Sequence, residues 1–392
     1  MISRHPFSVV LVALSVVLLA PACKKSQTAD SAASGATVSG NVIKIGEVGS
    51  MTGSEATFGI STHNGIMLAV KQLNAAGGIA GKKVEVVSLD DQGKPEEAAV
   101  AMNKLINQDK VIAILGEVAS SRSLAMAPIA QTHKIPMISP SSTNPKVTEQ
   151  GDYIFRVCFI DPFQGTVMAK FAWESLKAKK VAILRDVKND YSVGLADYFA
   201  ETFKKLGGEI VIDQSYSAGD MDFKSQLTAI RSKNPEAIFV PGYYTEVGLI
   251  SIQAKGLGLT APLLGGDGWD SPKLTEIGGD SINGSYFANH YSTEDNSPEV
   301  QKFIKEYKEM FGVVPDGLAA MGYDAALVLF DAMKRSPQLT TPQIRDAIAA
   351  TQKFKAVTGL ISMDAKRNPV KSAVVLKIEK KSFKYQTTIN PT

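Results

Sequence analysis

From residue 42 onward the chain alternates between two periods. Short apolar runs at residues 42–48, 83–89, 111–115 and 135–138 each stop at Gly, Asp or a Ser-Pro turn. Between them, residues 58–74, residues 95–107 and the stretch after Ser120 carry apolar positions three and four apart. Apolar runs of strand length separated by helical spacing predict strand–helix–strand units with parallel strands. Residues 153–159 add another strand. The rhythm then starts again. Strands are expected at 181–184, 209–214, 237–240 and 262–264, helices at 193–206, 223–232 and 246–255, and a further strand at 285–291. Helical patterns at 300–311, 317–334 and 342–350 follow, then strand-like stretches at 358–362, 374–378 and 383–386.

Two successive βα runs, each of domain size, predict two α/β lobes with a cleft between them. One larger sheet is the alternative, but two complete runs exceed the usual size of such a domain. Ligands of open α/β sheets sit outside the carboxyl ends of the strands. The strand ends at Gly116, Ser139, Pro241 and Gly265 would face the cleft. Two of them deliver hydroxyls: Ser120 after one strand, and Ser141, Ser142 and Thr143 after the other. Ser120 stands where a helix N-cap is expected, with unpaired N–H groups and the positive end of the helix dipole behind it. Such a site suits a carboxylate without a formal positive charge. Simple helix capping by Ser120 and Thr143 is the alternative.

On the second run, Asp267 lies at a strand end between glycines, where a carboxylate would suit a ligand ammonium. An ordinary Asx-turn would explain it equally. Phe58, Tyr191, Tyr243, Tyr244 and Trp269 fall just past strands or at helix starts, which suits the walls of a binding cleft. Each alone is as compatible with packing.

Composition removes other classes. Net charge is +3 with no long basic run, so nucleic acid is not an expected partner. Four histidines show no metal-binding spacing and two cysteines no disulfide framework, so neither a metal nor a cofactor is expected. No nucleophile carries a recognisable base, and no phosphate-binding glycine loop follows a strand, so an enzyme is not expected. Cys158, in an apolar run, reads as a small buried hydrophobe.

The N-terminus has a different character. Arg4 precedes an apolar run at residues 7–19, which ends in Ala20-Pro21-Ala22-Cys23. This is the pattern of a secretory signal. It resembles a bacterial lipoprotein signal, in which Cys23 becomes the lipidated first residue, although Ala20 stands where such signals usually have Leu. Cleavage after Ala22 without lipidation is the alternative. Residues 24–41 have no apolar period and read as a flexible tether.

From residue 42 to about 378 the chain resembles the Leu/Ile/Val-type solute-binding proteins that serve ABC importers. The segments that carry this are GSMTGSEATFGISTHNGIMLAVKQLNAAGGIAGKKVEVVSLDDQGKPEEA, ILGEVASSRSLAMAPIA, IPMISPSSTNPKVT, RVCFIDPFQG, DVKNDYSVGLA, PGYYTEVG and GGDGWDSPKL, in that order.

The resemblance implies a type I periplasmic binding protein fold, two doubly wound α/β lobes joined by a three-crossover hinge near Ile160, Asn289 and Ile361. Residues 1–22 would be the signal, 23–41 a lipid-anchored linker, 42–160 with 290–361 one lobe, and 161–289 with 362–392 the other. It implies an exported, monomeric receptor that delivers an amino acid, Leu, Ile or Val, to an ABC permease. Ser120 and Thr143 would hold the ligand carboxylate. The Ser141 carbonyl, Thr143 and Asp267 would hold its ammonium. Phe58, Val118, Tyr191 and Tyr243 would form the walls, with Trp269 adding bulk. Several positions depart from the family. Asp267 replaces Glu, Phe58 replaces Tyr, and the disulfide cysteines are absent at Gly93 and Ala119. The departures at Asp267 and Trp269 leave open an amide, urea, an aromatic acid or another amino acid as ligand, or a sensor role on the same scaffold.

Overall fold

The computed structural model describes residues 40–391. The expected signal, the lipidated Cys23 and most of the tether lie outside the described residues. The chain begins with β1 (Val42–Gly49), α1 (Ala56–Ala75), β2 (Lys83–Asp90), α2 (Pro95–Lys104), β3 (Ile114–Leu115), α3 (Ser120–His133), β4 (Met137–Ser139), α4 (Lys146–Glu149) and β5 (Ile154–Arg156). The second run is α5 (Asp161–Lys170), β6 (Lys180–Asp186), α6 (Asp190–Lys205), β7 (Glu209–Tyr216), α7 (Lys224–Ser232), β8 (Ala237–Phe239), α8 (Tyr244–Gly256), β9 (Leu263–Gly265), α9 (Pro272–Gly278) and β10 (Tyr286–Asn289). Then come α10 (Pro298–Phe311), α11 (Gly317–Arg335), α12 (Thr341–Ala349), β11 (Phe354–Ala356), β12 (Gly359–Ile361), β13 (Ala373–Glu379) and β14 (Ser382–Ile389).

The strands form two main sheets, in the orders β2-β1-β3-β4-β5 and β14-β13-β10-β9-β8-β6-β7. The first is wholly parallel. In the second, β6 to β10 are parallel, and β13 and β14 close one edge antiparallel. The fold is the type I periplasmic binding protein arrangement of two α/β lobes. Each sheet reverses its order about its first strand, which opens a crevice at the carboxyl ends. The chain passes between the sheets at residues 157–160, 290–297 and 362–372.

The helical block from α10 to α12 covers the first sheet, because α11 packs on α1, β3 and β4. That crossing is close. A Cβ on Gly65 would lie 2.0 Å from the Ala319 carbonyl, and one on Gly322 would lie 2.4 Å from that of Thr62.

Several expected boundaries shift. The strand expected at 153–159 pairs only over Ile154–Arg156, because the following residues leave the sheet and are buried in the crossing. The strand at 111–115 pairs only over Ile114–Leu115. The helix at 95–107 leaves α geometry after Lys104 for a wider turn, Leu105–Asp109. The stretch at 358–362 is the second arm of a hairpin whose first arm, β11, has no clear apolar run. Cys158 is buried as expected, with its thiol donating to the Ser142 carbonyl at 3.3 Å.

Candidate functional site

The cleft lies between the turns that follow β3 and β4 and those that follow β6, β8 and β9. Ser120 is not the N-cap of α3. Ala119 holds that position, and Ser120 is the first helical residue. Its Oγ accepts from the Asn144 N–H at 3.2 Å, so its own proton remains available. Thr143 Oγ1 is buried with no protein partner. The first-turn N–H groups of α3 lie beside these hydroxyls, where no helical carbonyl can reach them.

The two strand-end turns are stitched together. Ser142 Oγ is 3.0 Å from the Glu117 carbonyl and 2.8 Å from Ser123 Oγ, and Ser139 Oγ donates to the Glu117 carbonyl at 2.7 Å. Arg156, fully buried, donates to the carbonyls of Ser142 and Asn144, the latter at 2.8 Å. These bonds hold Ser141 and Thr143 in place.

From the other lobe comes Asp267, almost fully buried. It opens a single 3-10 turn, and its carboxylate reaches across the cleft instead of making an Asx-turn. Oδ2 accepts from Ser141 Oγ at 3.1 Å and from His290 Nε2 at 3.0 Å, and Oδ1 accepts from Gln164 Nε2 at 2.7 Å. Burial would raise this carboxyl. The bonds from His290, Gln164 and Ser141 outweigh it and hold Asp267 below its ordinary value.

Aromatic rings form the walls. Tyr191 and Tyr243 stack at 5.4 Å and 12°, and Phe58 meets Tyr243 edge-on at 5.3 Å. The Tyr191 hydroxyl accepts from the Gly268 N–H at 3.2 Å. Phe58, Val118, Ser120, Ser141, Tyr191, Tyr243, Asp267, Gly268 and Leu318 surround a narrow space of about 10 Å³, nearly closed by the meeting of the lobes. Thr143 lies just behind this lining. A larger groove of about 600 Å³ runs along the hinge side, lined by Tyr291, Lys355, Leu360 and Tyr385. It is wide and its charged rim is solvated, whereas the polar groups converge on the smaller space.

Trp269 is a correction. Its indole is fully buried in the second lobe, with Nε1 donating to the Val240 carbonyl at 3.0 Å and the ring 6.1 Å from Phe287. A Cβ on Gly265 would lie 2.0 Å from that indole, so the glycine admits the ring beneath the strand end. Trp269 supports the turn bearing Asp267 and does not line the space.

The lobes are in contact across the cleft. Ser121 Oγ donates to Asp190 Oδ2 at 2.9 Å, and Asn144 Nδ2 to the Asp190 carbonyl at 2.9 Å. Thr245 Oγ1 donates to the Ser54 carbonyl at 2.7 Å, and the hydroxyls of Thr57 and Ser271 are 2.9 Å apart. The Gly317 N–H, at the start of α11, donates to Asp270 Oδ2 at 2.5 Å. Asp270 is pushed up to about 7 by burial and by the nearby Asp316 carboxylate.

Sequence reasoning missed several of these groups. His290 sits on the second crossing and Gln164 in the first turn of α5 just after the first crossing, where no local pattern marks them. Leu318 arrives from the helical block, so its place depends on tertiary packing. A buried charge cluster was also missed. Arg122 pairs with Glu55 at 2.7 Å and Glu117 at 3.1 Å, and its Nη1 donates to the Gly93 carbonyl at 3.1 Å. Asp91 completes the cluster through Ser50 Oγ at 2.8 Å, and burial with the Glu117 charge pushes its carboxyl up to about 7. A glutamate inside the apolar run ILGEV, five residues before an arginine, was the available signal. The cluster ties the loops at Gly93 and Ala119 without a covalent link.

Residues 42–381 match the family described as periplasmic binding protein. The leucine-, isoleucine-, valine-, threonine- and alanine-binding protein of Pseudomonas aeruginosa is 30% identical over 328 residues, which cover 83% of this chain and 87% of that one. The crystal structure of the leucine binding protein LivK of Thermotoga maritima superposes with a TM-score of 0.86 at 43% identity, covering 89% of this chain and 99% of that one. That of LivJ of Streptococcus pneumoniae, in complex with isoleucine, gives 0.85 at 36% identity, covering 89% and 100%.

Proposed function

Because this chain belongs to the periplasmic binding protein family, we propose that it captures a branched-chain amino acid between its lobes and presents it to an ABC permease. One observation carries the reading. Hydroxyls and helix N–H groups of one lobe face a buried, charged carboxylate of the other, across apolar walls. Ser120 and Thr143 have donor capacity that the protein does not spend, which suits a ligand carboxylate. Asp267, Thr143 and the Ser141 carbonyl suit its ammonium. Phe58, Val118, Tyr191, Tyr243 and Leu318 leave an aliphatic side chain among apolar surfaces. The relatives named for leucine and isoleucine support the same ligand class.

The mechanism is binding and lobe closure, with no bond chemistry. Each charge-assisted hydrogen bond contributes roughly 1.5–3 kcal/mol, and closure excludes water from all of them at once. The protein acts as a monomer in the periplasm, and acylation of Cys23 would tether it to a membrane.

A thermal-shift screen tests the ligand. Leucine, isoleucine and valine should raise the Tm, and benzoate and acetamide should not. Stabilisation by benzoate or acetamide with none by amino acids would overturn the reading.

A further inference from the structure

We propose that His290 is the positioning residue that sets the charge and direction of the ammonium acceptor, by donating its Nε2–H to Asp267 as a neutral imidazole. This rests on the amino-acid reading of the cleft.

The geometry supplies the argument. His290 follows β10 on the second crossing and its side chain is fully buried. Nε2 is 3.0 Å from Asp267 Oδ2 and 3.3 Å from Ser141 Oγ, so the ring touches cleft groups of both lobes. Its face stacks on Phe159 of the first crossing, centroids 4.0 Å apart at 29°. Nδ1 is buried with no partner. A proton on Nδ1 would therefore be an unsatisfied buried donor, whereas a proton on Nε2 meets the carboxylate. The tautomer is fixed by its surroundings.

The protonation state follows the same logic. An imidazolium here would pair with Asp267 and cancel its charge, and a ligand ammonium would then face a neutral pair. The charged groups around the ring are Asp267, from the turn after β9, and the Lys371 ammonium on the third crossing. The Ser141 and Phe159 contacts are uncharged. Burial lowers the His290 pKa, Asp267 raises it, and Lys371 lowers it further, with a net shift downward. Near neutral pH the ring is thus neutral and the carboxylate keeps its full charge. Because His290 lies on a segment that must twist when the lobes part, the aim of Asp267 is tied to the hinge.

The test combines two variants with a spectroscopic readout. In His290→Gln the side-chain amide can replace the Nε2 donor but cannot be protonated. His290→Leu removes the donor. Near pH 7, leucine affinity by calorimetry should fall about tenfold or more in His290→Leu and stay within about threefold in His290→Gln. As the pH falls below the ordinary imidazole range, the wild type should lose affinity relative to the Gln variant, whose side chain cannot be protonated. Equal losses in both variants, with a pH profile like that of wild type, would overturn the proposal and leave His290 a packing residue. The ¹⁵N spectrum of the ligand-free wild type gives an answer independent of any ligand. A neutral ring protonated on Nε2 is expected, and an imidazolium or Nδ1–H form at neutral pH overturns the proposal. If no amino acid binds wild type while that spectrum is as expected, the functional reading fails and the assignment of the ring stands.

Discussion

Ser141 and Asp267 meet across the two lobes, with Ser141 Oγ donating to Asp267 Oδ2 at 3.1 Å. On the proposed reading, the acceptor for a ligand ammonium is thus oriented partly by the lobe that would hold the ligand carboxylate. Asp267→Ala is expected to weaken leucine binding at least about tenfold, since one charge-assisted hydrogen bond amounts to roughly 1.5–3 kcal/mol. Calorimetric titration checks this, and an unchanged Kd would remove Asp267 from the site.

Arg122 is the single cation among Glu55, Glu117 and Asp91 in the buried cluster. Arg122→Met leaves these carboxylates with no counter-charge, at a cost of about 3–5 kcal/mol near neutral pH. Glu55 and Asp91 already have raised pKa values, each chiefly through burial. A buried acid with a raised pKa destabilises progressively as pH climbs above its unfolded value of about 4. The loss should be largest near pH 8 and shrink toward pH 5, as followed by urea unfolding. A pH-independent loss would mean that packing of the long side chain, and not its charge, is what the cluster requires.

Gly65 lies at the crossing of α1 and α11. In Gly65→Ala the new Cβ would be 2.0 Å from the Ala319 carbonyl, a backbone atom that no rotamer change can move. Overpacking costs about 1–3 kcal/mol, and better helix propensity returns about 1 kcal/mol at most. A fall in Tm of up to about 3 °C is expected by calorimetry for a chain of this size. A rise would show that the crossing has slack.

Asp270 gives closure a pH dependence of its own. With the lobes together its carboxyl is pushed up to about 7, by burial first and then by Asp316. With the lobes apart its contact with Gly317 is broken and its value falls back toward the ordinary range. Closing therefore takes up a proton at intermediate pH, and raising the pH through about 7 should weaken ligand affinity. Asp270→Asn should abolish this alkaline limb, measured as Kd against pH. Persistence of the limb in the variant would point to another group.

Much of this arrangement was legible in the chain itself. Alternating periods place both sheets, and the hydroxyls at 120 and 141–143 stand at strand ends that can be read without coordinates. Asp267 was singled out because flanking glycines let a ligand or the other lobe approach closely, although an Asx-turn would explain the same pattern. The failures share a cause. Trp269 was grouped with the walls because several aromatics stand at matching strand ends, yet Gly265 lets its ring drop beneath the strand. His290 lies on a crossing, Gln164 on α5 and Leu318 on α11, so they reach the cleft only through packing between segments far apart in sequence. Ser120 misled by one position, because Ala119 takes the cap and frees the hydroxyl for Asn144.

The contacts that bridge the rims have a practical corollary. Among the described residues, Ser121 with Asp190, Thr245 with the Ser54 carbonyl, and Thr57 with Ser271 join hydroxyls to acceptors, without setting opposite charges against each other. Dissolved ions screen opposite charges far more than they disturb short dipolar bonds. A receptor latched in this way should grip and let go alike in dilute and briny surroundings, with affinity changing less than about threefold from ~10 mM to ~1 M salt. That tolerance suits a compartment whose ionic strength follows the outside world.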